Sequence, residues 1–145
     1  MFCDSTLAAL TRAGYTTERR VDAGVSERAL TAHGFTPPAR VRTFLERFGN
    51  LTVSLPHPTH SNVAMHFHFD AARSASSVFR EKVDDLAARA GAPLFPVGEG
   101  LGGVLLMDPA GALYAALDDW FVKLGSTPEE AIEELCSGGS GTTMA

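Results

Sequence analysis

Cysteine is scarce in this 145-residue chain: there are two, Cys3 and Cys136, near opposite ends. With no CxxC pair and no Cys/His ladder, cysteine spacing defines no zinc site. Two separated thiols fit a reducing cytoplasm, with a disulfide between the two ends as the alternative. Positive charge is also short. Twelve Lys and Arg stand against 17 Asp and Glu, for a net charge of −5. Such a chain lacks the basic footprint that phosphate backbones require, which argues against a general nucleic-acid binder. No run approaches the ~20 apolar residues of a membrane-spanning helix, so no membrane partner is expected. The opening MFCDSTLAALTRAG has neither the cationic lead nor the apolar core of a secretory leader, and a cytoplasmic protein is expected. Two catalytic signatures are missing as well: no HExxH helix and no G-x-S-x-G elbow occurs.

What remains is ordinary globular material, 45% hydrophobic and 20% charged. The length suits one domain with a real core. Helix signals come first: residues 4–13, residues 25–33, and a third helix entered through Pro37 and Pro38. In the third, Val41, Phe44, Leu45 and Phe48 form one apolar stripe, and Gly49 suits its end. The period then shortens. Residues 51–55 and the alternating AMHFHFD at 64–70 suggest a hairpin, with Met65, Phe67 and Phe69 on one face and His66 and His68 on the other. Residues 74–90 predict one long helix with Phe79, Val83, Leu86 and Ala90 on its inner side. Three short apolar runs follow, at 94–97, 104–108 and 113–117. The closing helix opens with a capping box, Thr127 to Glu130, with Pro128 at its first position. The expected architecture is α+β: a single domain over residues 1–138, with a mixed or antiparallel sheet of about five to six short strands flanked by helices. Residues 139–145 are expected as a flexible tail.

Several stretches could carry chemistry. GEGLGG, Gly98 to Gly103, satisfies the glycine pattern of dinucleotide-binding folds. That pattern holds a pyrophosphate only where a helix starts at its end. Here VLLMDPAG follows, a strand and a turn, and Glu99 would repel phosphate, so the glycines are expected to shape a loop or bulge between strands. His66 and His68, with His57 and His60 in the preceding loop, could ligate a metal. Without a companion motif they read instead as a polar strand face and loop histidines, and no cofactor is called for. Asp118 and Asp119, as neighbours on a strand, would point to opposite faces and make no dyad. Acidity gathers late. Residues 1–50 carry +2 and residues 51–145 carry −7, which reads either as solvated helix and loop charge or as a patch that steers a basic partner.

The order of the pieces resembles the SUKH superfamily, most closely its third group. Gly14-Tyr15, Arg19-Arg20 and Asp22 match that family's opening, with Tyr15 where tryptophan is usual. Phe48-Gly49-Asn50-Leu51 matches FGxL, with Asn50 where a second glycine is common. Pro96, Val97, Gly98 and Glu99 match PVGE. Asp108, Gly111 and Tyr114 match D-x-x-G-x-x-Y. Leu124, Gly125, Thr127, Glu129 or Glu130, Ala131, Ile132, Leu135 and Gly138 match the closing stretch. The resemblance implies an α+β binding protein rather than an enzyme: a bacterial immunity protein that neutralises a secreted toxin domain, often a nuclease or nucleic-acid deaminase. A regulatory protein-binding module is the alternative, and a small histidine-metal enzyme a further one. A toxin directed at nucleic acid would be basic around its substrate groove. Glu99, Asp108, Asp118, Asp119 and Trp120 are the residues expected to meet it. Trp120 would be an anchor, or else packs on the core where a strand ends; Asp108 could equally stabilise its turn.

Overall fold

The computed structural model describes residues 2–56, 64–139 and 141–144. Their helices are α1 (Asp4–Arg12), α2 (Gly24–Ala32), α3 (Ala39–Phe48), α4 (Ala71–Ser77), α5 (Arg80–Ala90) and α6 (Pro128–Cys136). Their strands are β1 (Thr52–Pro56), β2 (Ala64–His68), β3 (Phe95–Gly100), β4 (Gly103–Met107), β5 (Leu113–Leu117), β6 (Trp120–Gly125) and β7 (Thr142–Thr143). The strands form one sheet in chain order, and every neighbouring pair is antiparallel. The expected single α+β domain is therefore the observed one, with the sheet antiparallel throughout.

The apolar spacings find their places. Val41, Phe44, Leu45 and Phe48 are all buried along α3. At its end the Arg19 guanidinium donates to the carbonyls of Arg47 (2.9 Å) and Gly49 (2.8 Å), satisfying acceptors that the last helical turn leaves free. The capping box of α6 also forms. Thr127 Oγ1 accepts from the Glu130 amide at 3.1 Å, while Glu130 reaches back to accept from the Ser126 amide at 3.0 Å.

The sheet differs from the sequence expectation in two ways. Trp120–Gly125 is a sixth strand, not the exit from a fifth. Asp118 and Asp119 are thus a two-residue turn between β5 and β6, with Leu117 paired to Trp120 and Asp118 at φ 52°. Thr142 and Thr143, within the stretch expected as a tail, pair with Lys123 and Val122 of β6. The GEGLGG segment makes the neighbouring hairpin. Gly100 pairs with Gly103 across Leu101 (φ 55°) and Gly102 (φ 80°), the two positive φ values a tight primed turn requires. No helix starts there, so the segment is a strand reversal, as its sequence context implied.

The long helix expected over 74–90 is two helices. Val78 and Phe79 are extended (ψ 142° and 140°) and break it. The cause is local. Ser76 and Ser77 turn their hydroxyls onto the carbonyls of Arg73 (2.9 Å) and Ser74 (3.0 Å), competing with the helical ladder, and the β-branched Val78 follows. Phe79, expected on the inner side, is 81% exposed, while Val83 and Leu86 are buried as expected.

Candidate partner-binding face

Antiparallel register brings the β3–β4 and β5–β6 turns to the same end of the sheet. Val104 lies opposite Ala116, and Ala116 opposite Phe121. The broken α4–α5 joint stands beside these two turns. Together they enclose an open groove of about 480 Å³, with Phe79 and Lys82 on the helical wall, Val104 and Leu117 on the sheet side, and Glu99 and Asp118 at its margins. Lys82 Nζ donates to the Asp118 carbonyl at 2.8 Å and ties α5 to the turn. Phe79 at 81% and Leu117 at 44% exposure are two of the few large apolar side chains facing solvent. Exposed apolar groups gathered at a concavity and rimmed by charge mark an interaction surface more often than scattered ones do.

The expected partner-binding residues fall into different settings. Glu99 and Asp118 line the groove. Asp119 is exposed and Trp120 half-buried, both in or beside the same turn, and Trp120 packs its inner part on the core. Neither Asp118 nor Asp119 has a side-chain ion pair among the described residues, so both present free carboxylates. Glu99 does not. His68 Nε2 donates to its Oε1 at 2.7 Å, Arg73 Nε lies at 3.2 Å, and Ser77 Oγ donates to Oε2 at 3.3 Å. The Asp70 amide donates to His68 Nδ1 at 3.1 Å, so the ring's remaining proton sits on Nε2, facing the carboxylate. This Ser–Glu–His chain cannot activate a nucleophile, because the hydroxyl bonds the carboxylate and not the imidazole. Its effect is to brace β2, β3 and α4 beneath the groove, while the Arg73 guanidinium supplies the charge opposite Glu99.

Asp108 lies away from the groove, in the β4–β5 turn at the opposite end of the strands, and is 6% exposed. One oxygen accepts from the amides of Ala110 (2.9 Å) and Ala112 (3.0 Å). The other accepts from the Tyr114 hydroxyl at 3.0 Å. Burial, and then Asp108 itself, push the Tyr114 phenol up to about 12. The turn-stabilising role weighed for Asp108 is the one its geometry fits.

His66 and His68 occupy one strand face but serve different partners: His66 Nδ1 lies 2.6 Å from Ser54 Oγ, and His68 bonds Glu99. His57 and His60 lie outside the described residues, among which no group of three or more His, Cys, Asp or Glu side chains could hold a metal ion. No helix among the described residues is long and apolar enough to cross a membrane. Phe79 is the groove residue that sequence reasoning places elsewhere. Its i, i+4 spacing to Val83 placed it inside the helix, and only the serine run before Val78 signals that the helix breaks there.

The fold and this face define an α+β domain with an apolar, acid-flanked groove on its surface. The model of the SUKH-3 immunity protein family matches residues 2–138, so the chain belongs to that family. No curated protein and no solved structure matches it. Immunity proteins are in general not enzymes, and the family implies a toxin as partner. The shared motifs act inside this fold. Tyr15 stacks on Phe48 (5.2 Å between centroids, 6° between planes). Asp22 accepts from the Gly24 amide at 2.8 Å where α2 starts. A Cβ at Gly98 would collide with the His68 carbonyl, so glycine lets β3 approach the end of β2.

Proposed function

We propose that this protein neutralises its cognate toxin in the cytoplasm by covering it, without catalysing any reaction, and that the groove at the β3–β4 and β5–β6 turns is where the toxin docks. The observation that carries this reading is Phe79, held 81% exposed beside Leu117 at a concavity. A helix break that turns a phenylalanine outward stabilises no core. It supplies an apolar anchor of the kind that fills a partner's pocket, while Asp118, Asp119 and the half-buried Trp120 form the surround. The partner is a toxin domain acting on nucleic acid, a nuclease or a deaminase. Such a domain is basic around its substrate groove because it must attract phosphate. Two unpaired carboxylates and the −7 charge of residues 51–145 complement that groove and speed encounter in a salt-sensitive way.

Co-expression tests the reading. Cells producing the toxin domain encoded beside this gene should survive when this protein is present and die when it is absent. Cells that die despite a folded, abundant copy of this protein would refute neutralisation. Survival with toxin that does not co-purify with this protein would refute the binding mechanism.

A further inference from the structure

The two cysteines of this chain come from its opposite ends and meet at one spot. Cys3 caps the start of α1, and Cys136 is the last residue of α6. The Cys3 amide donates to Glu133 Oε1 at 2.6 Å, and its Sγ lies 3.2 Å from Glu133 Oε2 and 3.3 Å from Thr6 Oγ1. Thr6 is buried and donates to Glu133 Oε2 at 2.9 Å. Glu133 and Cys136 are one helical turn apart on the same face of α6. The Cys136 thiol, half-buried on that face, lies close enough to Thr6 and to Cys3 to feel both. Both cysteines therefore border the Thr6–Glu133 contact, where the start of α1 meets the last turns of α6. Both thiols are free here, Cys3 exposed and Cys136 half-buried.

We propose that Cys3 and Cys136 form a reversible disulfide that staples α1 to α6, made by exchange with a low-molecular-weight disulfide such as oxidised glutathione. In the first step the Cys3 thiolate attacks one glutathione sulfur. The Cys3–glutathione bond forms, the glutathione disulfide breaks, and the first glutathione leaves as a thiolate. In the second step Cys136, as thiolate, attacks the Cys3 sulfur, and the second glutathione leaves. Two protein thiols are oxidised to one disulfide, one glutathione disulfide is reduced to two thiols, and the two thiol hydrogens end on glutathione. The surroundings set this order. Cys3 is exposed, and its hydrogen bonds with Ser5 and then Thr6 hold its thiol below the usual range, against the opposing pull of the Glu133 carboxylate. Cys136 is pushed up to about 11, first by burial, which suits the second, resolving step. In the oxidised protein Glu133 loses its thiol donor and keeps the Cys3 amide and Thr6.

The full chain, reduced and then incubated with oxidised glutathione, tests this by intact mass without reductant, peptide mapping and thermal unfolding. The expected product is a monomer lighter by about 2 Da, with the peptide containing Cys3 joined to the one containing Cys136. Its Tm should rise above that of the reduced form, and dithiothreitol should reverse both changes. Cys136→Ser should stop at a stable glutathione adduct on Cys3. Wild-type protein that holds one glutathione on each cysteine, or that links only between molecules, would overturn the proposal.

Discussion

At the scale of single residues, the side chains most easily taken for functional groups prove to be fasteners. Asp108 sits just before a turn and looks available; folding buries it under two amides and a phenol. The turn role is legible in the sequence but the burial is not, because the hydroxyl that completes the cluster arrives from Tyr114, on the next strand. Phe79 is the converse, a phenylalanine at helical spacing whose backbone turns it outward. The Tyr114–Asp108 bond has a pH signature. The phenol's folded value, about 12, lies above its ordinary 10.0, so the fold favours the neutral form. That contribution is intact below pH 10 and is lost as pH rises through about 12. Tm measured across this window should fall more steeply for the wild type than for Tyr114→Phe, which has no proton to lose. Parallel curves would show that the phenol is not held neutral.

At the scale of elements, the most legible pieces were those whose signal is local. The α3 stripe and the α6 capping box are written in adjacent residues and form as read. The strands between Phe95 and Leu117 were visible as apolar runs. They lack alternation because both faces of the central sheet are buried: Leu105, Ala115 and Val122 on one side, Ala116 and Phe121 on the other. Strand β6 was missed because Asp118-Asp119-Trp120 reads as a polar end, whereas Asp118 tolerates the positive φ a two-residue turn imposes. The serine-driven break between α4 and α5 was missed because apolar spacing continues across it. For α6 a specific consequence follows from its cap. Thr127→Ala removes the acceptor for the Glu130 amide and should lower unfolding stability by about 1 kcal/mol. Urea denaturation measures this, and an unchanged midpoint would mean that water replaces the cap at no cost.

At the scale of the molecule, family membership over residues 2–138 implies a toxin as partner, and the groove at one end of the sheet is the surface proposed to receive it. The shared motifs hold the frame, while the candidate docking residues Phe79, Leu117, Asp118 and Asp119 lie outside those motifs. The candidate face is only partly legible in the sequence. Asp118, Asp119 and Trp120 announce themselves as a charged, aromatic cluster, but the apolar half of the groove exists only once the α4–α5 joint is folded against two hairpin turns. The most direct measurement is the Kd of the cognate toxin domain for the wild type and for Phe79→Ala, with Tm recorded for both. Because Phe79 is 81% exposed, Tm should stay unchanged while Kd weakens at least about tenfold, as loss of a central aromatic anchor demands. An unchanged Kd with an intact fold would place the toxin on another surface and contradict the account.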